Sequence, residues 1–308
     1  MLDAHNYYFD DGEPEREVMM PRRANDAFAM IDGPELPMLF DSFWQPAELA
    51  LLFGHPGVGK SLLAVQIAEA IARGNRILGE GPAEIPPQRV LYVDLVMSSL
   101  QFAARYAPYE FGPEFYRDTP PFDRDLFEWL IDMVNGFEFK IIVIDDLSMI
   151  GHSSDGIRES LQLMHDLRVL TRGFGASILV LADSYPMVFQ HASDERVLRR
   201  SQILCSVADS TFALTLSSDA DKGRRDLVQT RSRSDELIWT AANPLPCTLT
   251  QLNGGLTGFR FDPPEIDKEL QRKIAAIKQM HDNEGKTFRT IAAELGISKS
   301  QAQRLHGL

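Results

Sequence analysis

Cysteine is almost missing from this 308-residue chain, with Cys205 and Cys247 its sole examples. No CxxC pair and no His/Cys run at ligand spacing occurs, so nothing local suggests a disulfide framework or a zinc module, and two cysteines separated by 41 residues fit a reducing cytoplasm. Long apolar runs are missing too: none approaches the ~18–20 residues needed to cross a bilayer. The acidic start MLDAHNYYFDDGEPE does not read as a signal peptide, so the expectation is a cytoplasmic protein with no membrane partner. A positive surplus is also lacking, since 31 Lys and Arg face 44 Asp and Glu for a formal charge of −13. That balance does not point to general affinity for nucleic acid, and any such contact must be local.

The charge is uneven. Residues 1–36 hold nine acids against Arg16, Arg22 and Arg23, whereas from residue 265 onward eight bases face six acids. The acidic stretch has no sustained period and is expected to be a flexible arm. The remainder, ordinary in composition and ample for a buried core, divides into a core over 37–262 and a small helical part over 263–308.

From LALLF (49–53) the pattern alternates. A helix is expected from about Lys60 to Arg73 with Leu63, Ile67 and Ile71 on one face, then strand RVLYVD (89–94) and a helix near SSLQFAARY. The stretch from Ala107 to Phe122 reads as irregular. Helix RDLFEWLIDMVNGF precedes strand KIIVID (140–145), and a helix over 156–173 precedes strand ASILVLAD (176–183). Strands joined by helices imply a mostly parallel sheet with helices on both faces, because parallel pairing needs long crossovers. Farther on, VADSTFALTLSS, RRDLVQTRSR, ELIWTAA, PCTLTQLN and LTGFRFD read as short strands between turns, an antiparallel β extension.

GHPGVGKS (54–61) follows the first strand and opens a helix, the context that turns G-x-x-x-x-G-K-[ST] into a phosphate loop. Gly54, Gly57 and Gly59 let backbone N–H groups wrap phosphates at the positive end of the helix, with His55, Pro56, Val58 and Leu62 completing the nucleotide-binding stretch. Lys60 is expected to reach the β- and γ-phosphates and Ser61 to ligate Mg²⁺. Asp145 ends KIIVID at a strand's C-terminal edge, where ligands bind in open α/β sheets, and is the second metal residue. ATP and Mg²⁺ are therefore the expected cofactors.

These motifs in this order resemble the RecA-fold ATPases of the plasmid RepA and replicative DnaB type, and most of all the AAA family ATPases of mobile elements. The likeness runs from about Leu39 to Phe261 through FDSFWQPAELALLFGHPGVGKSLLAVQIAEAIARG, VLYVDLVMSSLQFAARY, SQILCSVADSTFAL and QTRSRSDELIW, the last two resembling the family's final strands. It implies a RecA-like P-loop core that self-assembles into a homo-oligomer, a hexameric ring, with ATP between subunits and single-stranded DNA as partner.

Two departures stand out. Where the family pattern places the water-activating glutamate, this chain has Val96, which can neither orient nor deprotonate water. Asp94 lies on the same strand face but ~6–7 Å back along it. Asp146, directly after the magnesium residue, is the better candidate, although such a residue is also an ordinary turn former. At ADSYP (182–186), where relatives carry a polar sensor, stand Asp183 and Ser184. A carboxylate facing a γ-phosphate repels it, which favours Ser184.

Arg231 and Arg233 in QTRSRSD match the family's basic pair that reaches a neighbour's ATP as a trans-acting finger; two solvated edge-strand arginines give the same pattern. Arg196, Arg199 and Arg200 in YPMVFQHASDERVLRRSQ are the candidate single-strand contacts, as is the loop SMIGHSSDG, against the alternative of a solvated helix face. TFRTIAAELGISKSQAQRLHGL has a helix-turn-helix signature: Ile291, Ala292 and Leu295 form a core, Gly296 the turn, and Ser298 caps a helix bearing Lys299, Gln301 and Arg304 as duplex-DNA contacts. Plain helical hairpins share it. The sequence thus leads to a DNA-acting ATPase of RepA-like helicase or translocase type. A non-hydrolysing nucleotide switch that controls assembly and DNA binding is the alternative, and a small-molecule P-loop kinase ranks third.

Overall fold

The computed structural model describes residues 38–78, 85–147, 156–183, 202–217, 223–233, 236–262 and 268–307. The acidic arm over 1–36 lies outside them. Nine strands form one sheet: β1 (Leu49–Gly54), β2 (Val90–Asp94), β3 (Phe115–Asp118), β4 (Ile141–Asp145), β5 (Ser177–Asp183), β6 (Ser210–Leu216), β7 (Arg224–Ser232), β8 (Leu245–Gln251) and β9 (Thr257–Phe261). Their order is β3-β2-β4-β5-β1-β6-β7-β8-β9. The first six run parallel, and β6 through β9 pair antiparallel.

The parallel strands are apolar along their whole length because both faces are covered. In β1, Ala50 and Leu52 pack with α1 (Lys60–Arg73) in the layer that also takes Tyr106 of α2 (Ser99–Tyr106), while Leu49, Leu51 and Phe53 pack under α3 (Leu126–Gly136) and α4 (Gly156–Phe174). Each fully buried Leu contributes about 1.5–3 kcal/mol, so the two layers fix the register of every strand carrying the site. Leu63, Ile67 and Ile71 are buried as the helical period predicts, yet Val65, Ala68 and Ala72 are buried too. A second cover explains this: Gln66 of α1 bonds both the N–H and the carbonyl oxygen of Phe259, clamping β9 onto the helix.

Three local expectations change. The stretch expected to be irregular contains β3, which pairs in parallel with β2 after the turn at Gly112. SQILCSV is not a strand: α5 (Gln202–Val207) forms there, with Leu204, Cys205 and Val207 buried in the layer that holds α4. ELIWTAA makes no strand either, because Gln229 Oε1 accepts the N–H groups of Ile238 and Trp239 and so takes the place of a neighbouring strand. The segment keeps a single bridge, Thr240 to Asn243.

At the C-terminal end, α6 (Lys268–Lys278) runs into a π-helical turn (Gln279–Asn283), followed by α7 (Phe288–Leu295) and α8 (Lys299–Gly307). Thr287 caps α7, Gly296 ends it at φ +65°, and the Ser298 hydroxyl accepts from Gln301 N–H at the start of α8. Ile274, Ile277, Phe288, Ile291, Ala302 and Leu305 form its own small core, against which Ile238 packs. Contacts group these helices with the sheet in one compact unit that runs to Leu308.

Candidate functional site

Register gathers the site. Gly54 pairs with Asp183 and Asp94 with Asp145, so the ends of β1, β2, β4 and β5 meet at the C-terminal edge of the parallel sheet. The loop after β1 needs its glycines for two reasons. A Cβ on Gly54 would lie 2.4 Å from the Leu214 carbonyl oxygen of β6, and one on Gly59 would meet the Phe259 ring at 2.7 Å. Gly57 and Gly59 also take φ values of +78° and +111°, a region that side chains disfavour. With Val58 and Lys60 buried, Ser61 and Leu62 half-buried, and His55 and Pro56 at the rim, the loop leaves the first N–H groups of α1 available to an anion.

Lys60 is 6 % exposed and points back across the loop. Its Nζ donates to the carbonyl oxygens of Gly54 and His55 at 3.2 and 3.5 Å and to Asp183 Oδ1 at 2.6 Å. Asp183, expected beside the γ-phosphate, is thus the partner of the phosphate lysine. Ser184 lies outside the described residues.

Asp145 is buried, and its Oδ2 accepts from the Tyr92 phenol at 2.7 Å. Oδ1 is buried with no hydrogen-bond partner. Burial pushes the carboxyl up to about 6, against opposing pulls from Tyr92 and Ser61. A buried carboxylate oxygen without a donor, beside a serine hydroxyl, fits a hard divalent cation. Ser61 and Asp145 would hold Mg²⁺, which when bound neutralises phosphate charge. The Tyr92 hydroxyl is itself driven above its usual range by burial and by Asp145. This support was readable in VLYVD only as strand alternation, which puts Tyr92 and Asp94 on one face.

Asp94 is not available as a base. Its Oδ1 accepts from the N–H groups of Val96 and Met97, and its Oδ2 pairs with Arg117 at 2.9 Å. It builds the turn after β2, and that turn presents Val96 to solvent at 48 % exposure. Asp146, at 7 % exposure, stands next to Asp145 at the strand end. Arg225 was not expected here: its Nε donates to the Val58 carbonyl oxygen of the phosphate loop at 3.0 Å, across 167 residues of sequence. No local signal announces it.

Arg231 and Arg233 lie at the opposite edge of the sheet, since β7 pairs Ser232 with Ser210 at the start of β6. Arg231 donates to the Cys205 carbonyl oxygen, and Arg233 to those of Ser206 and Ala208 with Asp209 at 3.4 Å. Arg168 joins them on Val207 and Asp209. Within one chain these guanidiniums cap the negative end of α5. Of the DNA candidates, Arg196, Arg199, Arg200 and loop residues 148–155 lie outside the described residues. Lys299 is half-buried on α8, Gln301 donates to Glu236 at 3.2 Å, and Arg304 is described in its backbone alone. No helix among the described residues is long and apolar enough to cross a membrane.

No curated protein matches the chain. Among solved structures, a KaiC-like protein of the hyperthermophilic archaeon Pyrococcus horikoshii shares the fold with a TM-score of 0.54 and 14 % identity, covering 74 % of this chain and 100 % of that one. A family profile described as an AAA domain matches residues 14–184, the segment that holds the phosphate loop, Asp145 and Asp183. The chain belongs to that AAA domain family, as an NTPase of RecA-like fold.

Proposed function

We propose that the chain binds MgATP and hydrolyses it as a self-assembling ring acting on DNA, in the manner of a RepA-like helicase or translocase. The observation that carries the nucleotide part is the convergence of Lys60, Ser61 and the donor-less Oδ1 of Asp145 at one sheet edge. Asp146 is the carboxylate assigned to water activation, because Asp94 is committed to its turn and position 96 is valine. The DNA part rests on the basic segment around Arg196, Arg199 and Arg200 and on α8 with Lys299, Gln301 and Arg304. Steady-state ATP turnover with and without single-stranded DNA tests the whole. DNA-stimulated turnover that Lys60→Ala and Asp146→Asn both abolish supports it, and turnover indifferent to DNA contradicts it.

A second reading is favoured by Val96, 48 % exposed, standing where the family pattern places the water-activating glutamate. In it, ATP is held rather than cleaved, and its bound state sets assembly and the presentation of α8. ATP-driven oligomerisation with wild-type turnover no faster than Lys60→Ala distinguishes this switch from a motor.

A further inference from the structure

Far from the phosphate loop in sequence, His281, Asp282 and His306 each place one ligand atom within 4.8 Å of the other two. His281 and Asp282 come from the π-helical turn that ends α6, and His306 from α8. Turns of this kind are frequently found at functional sites.

The details suit a metal better than chance proximity does. His281 Nδ1 lies 2.9 Å from the Lys286 carbonyl oxygen. A carbonyl can only accept, so Nδ1 carries the proton and Nε2 keeps its lone pair, as in a metal-ligating imidazole with its outer partner in place. Stacking on Phe288, with ring centroids 4.0 Å apart and planes at 20°, fixes that ring. His306 sits edge-on to both aromatic neighbours. Its Nε2 lies 2.7 Å from Asp282 Oδ1, so the carboxylate and the second imidazole already meet at one point.

We propose that His281, Asp282 and His306 bind one divalent transition metal of the zinc type, with water completing its coordination, and that the ion clamps the π turn to α8. Two imidazoles and one carboxylate select such a metal over magnesium, which prefers oxygen alone. Tetrahedral ligands 2.0–2.2 Å from zinc lie roughly 3.3–3.6 Å from one another. The observed separations, from 2.7 Å to at most 4.8 Å, bracket that span. Asp282, 51 % exposed, has room to turn, and the entering ion takes the place of the Nε2 proton between it and His306, the ring's remaining proton then residing on Nδ1. The consequence is a fixed orientation for the helix carrying Lys299, Gln301 and Arg304. This inference is independent of what the nucleotide site does.

Zinc titration of the chelator-stripped full-length chain against a chromophoric competitor tests it. One zinc per chain is expected at micromolar or lower concentration, weakened at least about tenfold by His281→Gln, by His306→Gln and by Asp282→Asn. Lys60→Ala and Asp145→Asn leave it unchanged. Zinc should raise the thermal midpoint of the wild type and not that of Asp282→Asn, a variant at an exposed position that keeps the fold. Absence of saturable binding, or binding unaltered in the His281→Gln/His306→Gln double variant, overturns the proposal. A midpoint that zinc does not move in the wild type reduces the Asp282–His306 contact to a structural pair and overturns it equally.

Discussion

Lys60 and Asp183 face each other across the end of the sheet, with Nζ 2.6 Å from Oδ1, because β1 and β5 pair in register at Gly54 and Asp183. The ammonium that must meet the phosphates is therefore held by a carboxylate of its own chain. Binding of ATP exchanges one anion for another at Lys60, and Asp183 competes directly with the nucleotide. Removing the competitor should strengthen binding. Asp183→Asn is expected to tighten ATP affinity about five- to thirtyfold, the equivalent of 1–2 kcal/mol, measured by calorimetry. Weaker binding in that variant would show that Asp183 supports the nucleotide-bound state instead.

Asp145 gives a pH dependence of stability whose sign follows from its burial. Its carboxyl rises from 3.8 to about 6, so the folded chain holds this proton more tightly than the unfolded chain does. Ionised Asp145 is then a cost that is fully present above about pH 6 and fades as pH falls towards 4. At about 1.4 kcal/mol per unit, the cost is on the order of 3 kcal/mol. Asp145→Asn should therefore unfold at a higher temperature than the wild type at pH 7.5 in the absence of magnesium, with the gap narrowed to about a third by pH 4.5. An equal gap at both pH values would refute this account of Asp145. The same variant should lose the magnesium dependence of ATP binding.

Gly54→Ala puts a Cβ 2.4 Å from the Leu214 carbonyl oxygen. Backbone cannot yield there without separating β1 from β6, so a loss of about 1–3 kcal/mol is expected in denaturant unfolding, together with weaker ATP binding. Gly136→Ala, at a helix end with nothing near a new Cβ, is the control and should change neither.

Arg231 and Arg233 cap α5 within the chain, at the sheet edge away from the phosphate loop. Arg231→Ala should lower stability by about 1 kcal/mol through its lost bond to Cys205, a loss that thermal unfolding would read. A finger acting in trans adds a second effect. Mixing Arg233→Ala with Lys60→Ala, each inactive alone, should restore part of the turnover at sites that combine an intact loop with a neighbour's arginine. No recovery on mixing would leave the pair as a helix cap.

How much of this was legible beforehand depends on the range of the interactions. The phosphate loop, its strand and its helix are local, and GHPGVGKS announces all three; Asp145 follows from a second apolar strand. The antiparallel extension was legible in its turns, but α5 was not, because SQILCSV is as apolar as a strand and owes its helix to packing on α4. ELIWTAA misled for a related reason: a single glutamine, Gln229, satisfies its backbone from ten residues away. The roles of Arg225 at Val58, of Tyr92 at Asp145 and of Asp183 at Lys60 depend on strand order. Strand order is set by the helices that cover the sheet, and no local pattern encodes it.

The central claim, that this edge of the sheet holds MgATP through Lys60, Ser61 and Asp145, is tested most directly by calorimetric titration of ATP into the full chain with and without magnesium. Saturable binding of one ATP per chain, strengthened by magnesium in the wild type, lost in Lys60→Ala and insensitive to magnesium in Asp145→Asn, is the predicted result. Binding that survives Lys60→Ala unchanged, or no binding by the wild type, would contradict it.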